Sequence, residues 1–256
     1  MRVRIYPYSS RSLSARSVAR GVDGLVIKRE GSSYVPRASD IVINWGAARV
    51  PSRYPVTFNK PEAVAVCCSK TRTYQALQAA GVPTLDWTTS PDVASRWLTS
   101  GYVVYHRATD HGSRGRGITV LQPYTTIHES LRNVGFFTKG VSNAREFRVY
   151  VVRDTVTTIL EKRRRNGVAA NPHVRSYQNG YVFCRNHRGP IPRETITQTG
   201  IKALKALGLD FGGIDLLLKE DDSVVVLEVN SAPGIEGTAL REMCDAFTTV
   251  INNEYA

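Results

Sequence analysis

Two apolar runs, GIDLLLK and VVVLEVN, lie close together near the end of this chain and constrain it more than any other feature. Between them sit Glu220, Asp221, Asp222 and Ser223, a four-residue polar connection of the length that joins antiparallel strands. With that loop, Asp215 falls directly opposite Glu228, and Asn230, two residues on, shares its face. The flanking Ile214, Leu216, Leu217, Leu218, Val226, Leu227 and Val229 mark the hairpin as largely buried. Like charges facing each other in a buried setting destabilise, so something must offset the repulsion. Two arrangements would do it. A divalent cation such as Mg²⁺ accepts two carboxylates and an amide oxygen, which makes Asp215, Glu228 and Asn230 candidate metal ligands. Alternatively, an arginine from a basic part of the chain pairs with one of the carboxylates.

The rest of the chain alternates strands with helices. RVRIYPY, SLSARSVARGV and GLVIKRE read as strand, serine-opened helix and strand, and DIVINWG as a third strand ending at a glycine. That order predicts a small parallel sheet. Arg49 to Lys60, with two prolines and little periodicity, reads as a linker. Helical spacing runs from Pro61 to the Gly81 stop, and PDVASRWLTSG is a second helix. YVVYH and ITVLQ are strands around the glycine-rich HGSRGRGI, and residues 145–162 form two strands turning near Asp154. A helix over ETITQTGIKALKALGL precedes the acidic hairpin, and a last helix begins near Thr238. The expected division is 1–60, 61–135 and 136–256, an α/β unit followed by two α+β units. At 256 residues the chain needs neither disulfide nor metal to fold. Cys67, Cys68, Cys184 and Cys244 lack metal-site spacing, and no run approaches the ~18 apolar residues of a membrane span. Together with the absence of an apolar leader, this predicts a cytoplasmic protein without a membrane partner.

Charge narrows the chemistry. The net charge is +12, of which residues 1–60 carry +8 and residues 139–193 carry +9, while the remainder is −5. Two basic blocks predict anionic ligands, with nucleotide phosphates, an acidic peptide and nucleic acid as the classes. The segment His111-Gly112-Ser113-Arg114-Gly115-Arg116-Gly117 lies between strands, so it is neither a Walker loop nor a Rossmann turn. A glycine-rich hairpin whose N–H groups cover phosphates remains, beside the reading as an ordinary glycine turn. Arg107 precedes that loop, Arg148 alternates with Val149 and Val151 on a strand, and Lys162-Arg163-Arg164-Arg165 follows. Strand-borne arginines suit bidentate recognition of phosphate or carboxylate, whereas the four-residue run reads equally as solvated charge.

Taken together these stretches resemble the ATP-grasp superfamily. DFGGIDLLLKEDDSVVVLEVNSAPGIEGT is similar to its "G-x-D … x-E-x-N-x-x-P-G" signature, and SKTRTYQALQAAGVPTLDW to the Lys-led helix and strand that open it. YVVYHRATDHGSRGRGI resembles the phosphate-covering hairpin, and AREFRVYVVRDTVTTILEKR the "D-x-R-x-x-V … K-R" strand pair, with Glu146 in place of the acid. The subgroup it most resembles is the small peptide-ligase type typified by ribosomal-protein glutamate ligase. The resemblance implies two α+β subdomains clasping ATP behind a small α/β domain, and amide formation through an acylphosphate. It implies Lys70 and Arg107 on phosphates, the backbone of Gly112, Ser113, Arg114, Gly115 and Gly117 over them, and Thr138, Lys139 and Gly140 at the adenine. It implies Asp215, Glu228 and Asn230 on Mg²⁺ (or Mn²⁺), and Arg148 on the acylphosphate, with Lys162 and Arg163 beside it. Family members usually carry Lys where this chain has His106 or Arg107, and an acid where it has Lys139.

The expected substrate is an amino acid or peptide joined to an acceptor, with an acidic protein or nucleic acid as acceptor classes open to so basic a chain. Asn171, His173, Arg175 and Tyr177, in an irregular stretch, are the substrate candidates. Self-association is common among such ligases. Two other readings stand beside this one: a nucleic-acid-binding module using Arg4, Arg11, Lys28 and residues 162–165, and a relative that binds nucleotide without forming a bond.

Overall fold

A computed structural model describes residues 1–110 and 117–255 of the chain. The first unit contains β1 (Arg2–Pro7), α1 (Leu13–Gly21), β2 (Leu25–Val26), β3 (Asp40–Trp45) and β4 (Val56–Phe58). Its four strands form an all-parallel sheet in the order β2-β1-β3-β4. Ser12 opens α1 as the sequence indicates, its Oγ accepting the Ala15 amide at 3.3 Å. The stretch read as a linker holds β4: Tyr54, Val56 and Phe58 are buried at alternate positions, too short a run for periodicity to reveal. Gly46, after β3, adopts φ +80°, and a Cβ there would stand 2.5 Å from the Cβ of Ala232. A glycine is required because this end of β3 abuts the loop that follows Asn230.

The Pro61 to Gly81 segment is two helices, α2 (Pro61–Cys68) and α3 (Lys70–Ala79). The break falls at Ser69, whose extended backbone and side chain cap α3 by accepting the Arg72 amide. Then come β5 (Trp87–Thr88), α4 (Pro91–Thr99), β6 (Val104–Arg107), β7 (Ile118–Leu121), the short α5 (Glu129–Arg132) and β8 (Phe136–Lys139). The four strands make an antiparallel sheet in the order β5-β8-β6-β7. β8 therefore pairs on both sides within this second sheet.

The third unit is β9 (Arg145–Val152), β10 (Thr155–Arg164), β11 (Tyr181–Cys184), α6 (Arg193–Ala206), β12 (Phe211–Leu218), β13 (Val224–Asn230) and α7 (Gly237–Tyr255). Its strands form one antiparallel sheet ordered β11-β10-β9-β12-β13. Alternation gives that sheet two unlike faces. Phe147, Val149, Val151, Ile214, Leu216, Val226 and Val229 bury against α6. On the other face Tyr150, Val152, Leu160 and Phe211 pack on α7 and the first unit, where the Trp45 and Phe211 rings stack at 5.1 Å. The remainder of this second face, on the same strands, carries charge. None of the helices among the described residues is long and apolar enough to cross a membrane.

Candidate active site

Strand register brings the charged residues together. Leu160, Arg148, Asp215 and Glu228 are successive cross-strand partners on β10, β9, β12 and β13. Asp215 does face Glu228, though by a different route from a four-residue loop. Leu218 pairs with Val224, leaving five residues in the connection, and a bulge at Leu227 then restores the register. The two departures cancel at the acids.

The repulsion between them is offset by cations of the chain itself. Arg148 donates from Nε and Nη2 to the two Asp215 oxygens, both at 2.7 Å. Lys70 Nζ lies 2.7 Å from Glu228 Oε1. Repulsion alone therefore does not demand a metal ion, which corrects that step of the sequence argument. Burial pushes the Asp215 carboxyl up, but the Arg148 charge and hydrogen bonds outweigh it and hold the group below its ordinary value. Burial opposes the charge on Arg148 as well, and Asp215 more than compensates.

Whether Mg²⁺ fits is a question of donor chemistry. Among the described residues no three His, Cys, Asp or Glu side chains converge. A divalent ion here would rest on two carboxylates, an amide oxygen and oxygens of its ligand, a set that Mg²⁺ accepts. Asn230 lies one non-facing residue beyond Glu228, and its amide nitrogen is buried with no partner. That nitrogen is a donor and speaks for an acceptor on a ligand rather than for the ion, which would take the Asn230 amide oxygen; the fit rests on donor type alone. The residues fit the ion.

Around this row the other candidates divide. Arg107 on β6 lines a cavity of about 20 Å³, the size of one water, together with Lys70, Tyr74 and Glu228. Its Nε is buried without a partner, and among the described residues no acid pairs with it. His106, one residue earlier, alternates inward against Phe137 with its Nε2 2.6 Å from the Val134 carbonyl oxygen. Arg107 is thus the cleft-facing cation of the two. Gly117 has φ +72°, and His111 to Arg116, including Gly112, Ser113, Arg114 and Gly115, lie outside the described residues.

Lys162 shares the charged face, paired with Glu146, while Arg163 does not. Arg163 sits opposite Val182 on the reverse face and donates to the Asn186 carbonyl, so its place beside Arg148 is overturned by the alternation of β10. Burial raises the Glu146 carboxyl, and Lys162 only partly offsets it. Arg175 reaches Glu146 at 3.9 Å and donates to the Ala144 carbonyl. His173 stands beside the Tyr105 ring at 6.3 Å, on the face that Tyr105 shares with Arg107. Asn171 instead accepts the amides of His173 and Val174, fastening its own loop. Tyr177 lies at the surface under the Arg165 guanidinium.

Thr138 to Gly140 do not offer free amides. Lys139 donates its amide to Asp86 and Gly140 to Val103, because β8 is paired on both sides. The Lys139 ammonium turns outward to Asp86 and the Tyr102 ring. An apolar bed missed in the sequence lies close by: Tyr74, Trp87, Phe136 and Leu217, with the bulged Leu227, fill the space between the second and third sheets. The Trp87 indole nitrogen is buried there without a partner. Burial pushes the Cys67 thiol up to about 12, so it packs rather than reacts.

Known proteins share this architecture. Residues 134–253 match the family described as "RimK-like ATP-grasp domain". A probable alpha-L-glutamate ligase of Mannheimia succiniciproducens is 25% identical over 243 residues, covering 88% of this chain and 74% of that protein. A probable alpha-L-glutamate ligase of Stenotrophomonas maltophilia is 26% identical over 247 residues, covering 91% and 78%. Among solved structures, the ATP-grasp ligase PsnB with its minimal precursor superposes with TM-score 0.70 at 16% identity, covering 97% of this chain and 99% of that one. D-alanyl-alanine synthetase A from Vibrio cholerae superposes with TM-score 0.69 at 12% identity, covering 99% and 98%. The chain thus has the fold of ATP-grasp ligases, and its residues 134–253 match the RimK-like ATP-grasp domain.

Proposed function

We propose that the chain is an ATP-dependent carboxylate–amine ligase that joins an amino acid or peptide to an acceptor. The observation that carries this reading is the row Arg148–Asp215–Glu228, flanked by Lys70 and by Arg107, which no acid among the described residues claims. Phosphoryl transfer requires chiefly positioning and charge neutralisation, and cations fixed on separate rigid elements meet that need. In the reaction, a substrate carboxylate oxygen attacks the γ-phosphorus and ADP leaves. The amine nitrogen then attacks the acyl carbon, phosphate leaves, and an amide remains.

Lys70 and Arg107 face phosphate oxygens in this reading. Arg148 keeps Nη1 outside its pair with Asp215, and that nitrogen orients the acyl phosphate. The partly exposed rim of that cluster, Trp87 and Leu227, lies against the purine, with the backbone of Thr138 to Gly140 beside it. Asp215, Glu228 and Asn230 would hold Mg²⁺, which when bound would neutralise phosphate charge. Lys162, Glu146 and Arg175 close the side where the carboxylate substrate enters, and His173 lies above it. The three units are 1–60, 61–139 and 140–256, with the cleft between the last two.

The nucleic-acid reading loses ground on the basic run. Lys162 is committed to Glu146, Arg163 to Asn186 and Arg165 to Tyr177, so the tract is not one continuous cationic strip. The test is incubation with ATP, Mg²⁺ and pooled amino acids, with phosphate release measured first and product mass second. Release that depends on an added amino acid and yields a conjugate of matching mass supports the proposal. No amine-dependent release with any pool would refute it.

A further inference from the structure

The N-terminus of α3 is closed by a residue that lies beyond the end of β6. Its first amides are taken in turn: Lys70 N–H by the Asp110 carbonyl at 3.1 Å, Thr71 N–H by Asp110 Oδ1 at 2.8 Å, and Arg72 N–H by Ser69 Oγ at 3.2 Å. The Thr71 hydroxyl also donates to Oδ1, at 3.0 Å, and the Ser69 hydroxyl donates to Oδ2. A helix N-terminus has bare amides and partial positive charge, and ordinarily attracts an anion. Here that anion is a side chain. Asp110 lies three residues beyond Arg107, past the end of β6. It therefore ties the strand that carries Arg107 to the helix that begins with Lys70. Both cations reach the same small cavity beside Glu228.

We propose that Asp110 is a positioning residue for the phosphate site, setting Lys70 against Arg107 through the first turn of α3. The inference rests on the nucleotide reading above and adds to it a residue that contacts no nucleotide itself. Charge and geometry pull in opposite directions here, which makes the role testable. The carboxylate's negative charge disfavours a nearby phosphate, whereas its hydrogen bonds hold the helix that presents Lys70. Asp110→Asn removes the charge but keeps an acceptor oxygen for the Thr71 amide. Asp110→Ala removes both.

Steady-state kinetics and calorimetric titration with ATP read the outcome. Asp110→Ala raises the KM and the dissociation constant for ATP about tenfold, the scale expected when a supporting contact is lost. Its kcat at saturating ATP stays within about twofold, and the KM for the amine is unchanged. Asp110→Asn stays within about threefold of wild type. Lys70→Met made in the Asp110→Ala background adds little further loss, because one residue acts through the other. Should Asp110→Ala fail to fold, Thr71→Val, which removes the hydroxyl arm alone, raises the ATP KM about threefold. The proposal is overturned if both Asp110 variants tighten ATP alike, which would make the carboxylate only a competing anion. It is overturned equally by full additivity with Lys70→Met, by kcat and all KM values worsening in step with thermal stability, or by no change in Asp110→Ala or Thr71→Val. A wild-type chain that binds ATP but transfers nothing would sink the ligase reading instead, and the ATP titrations would still decide the role of Asp110.

Discussion

Arg148→Met separates what holds this site together from what it does. The side chain of Asp215 is 4% exposed, and both of its oxygens are bound by the Arg148 guanidinium. Removing the arginine leaves a buried carboxylate facing Glu228 across the hairpin, a loss that costs about 3–5 kcal/mol. For a chain of this size, that corresponds to roughly 6–20 °C in Tm. The double variant Arg148→Met, Asp215→Asn removes the stranded charge and recovers at least half of the loss, because an ion pair replaced on both sides is far less costly than one broken on one side. Both variants lose ligase activity. The pH dependence adds a sign. In the wild type the Asp215 value is lowered, so its contribution is complete above the unfolded value near ~3.9 and fades only below it. In Arg148→Met, burial, the largest influence on Asp215, is opposed only by the more distant charges of Lys162 and Lys70, so the Asp215 value rises and the penalty grows as pH rises from about 4 towards 7. Urea unfolding followed by tryptophan fluorescence measures this directly, since Trp45 stacks on Phe211 at the start of the same strand β12. A loss below about 1 kcal/mol, or a double variant no more stable than the single one, would refute the reasoning.

Arg107→Ala breaks no ion pair among the described residues, so stability should move by no more than about 0.5 kcal/mol while the KM for ATP rises about tenfold; equal KM values would remove Arg107 from the phosphate site. Lys70→Met leaves Glu228, whose side chain is 34% exposed, and should cost no more than about 1 kcal/mol in urea unfolding while weakening ATP at least as much. Arg163→Ala should change turnover less than about twofold, because that side chain lies on the reverse face of β10; a large loss would contradict the register. Asn59→Ala should destabilise by about 2–4 kcal/mol in the same unfolding assay. Asn59 is fully buried at φ +57°, accepts the amides of Asp210 and Phe211, and donates to the Phe211 carbonyl where the first unit meets β12.

Long elements with strong periodicity were legible before any coordinates. The parallel α/β unit, the strand pair read at residues 145–162 and the helix read over residues 194–209 follow from spacing, and the structure has them at Arg145–Arg164 and Arg193–Ala206. The exceptions are short or interrupted. β4 and β5 are too brief to show a period, and the helical spacing from Pro61 to Gly81 conceals a break because Ser69 both ends α2 and caps α3. A serine inside an apolar pattern carries the same one-letter signal whether it caps a helix or faces solvent. Only the backbone at Ser69, extended rather than helical, distinguishes the two.

The site shows the same limit in energetic form. That two acids would face each other was readable, and the register carried it even though the loop length was not. What the alternation could not supply is the partner of each acid, since Lys70 and Arg148 come from elements 158 and 67 residues away in sequence. Strand period alone did place Arg163 on the wrong side of β10 once Lys162 was set opposite Glu146, so a run of four basic residues cannot serve one face together. The same rule makes the positive assignment for Arg148. On β9 its neighbours Phe147 and Val149 are committed to the α6 core, which leaves the guanidinium no direction but toward Asp215 and the cleft. A cation fixed in that way loses little conformational freedom when it meets a phosphate, and that pre-organisation is what a phosphoryl-transfer site requires of its residues.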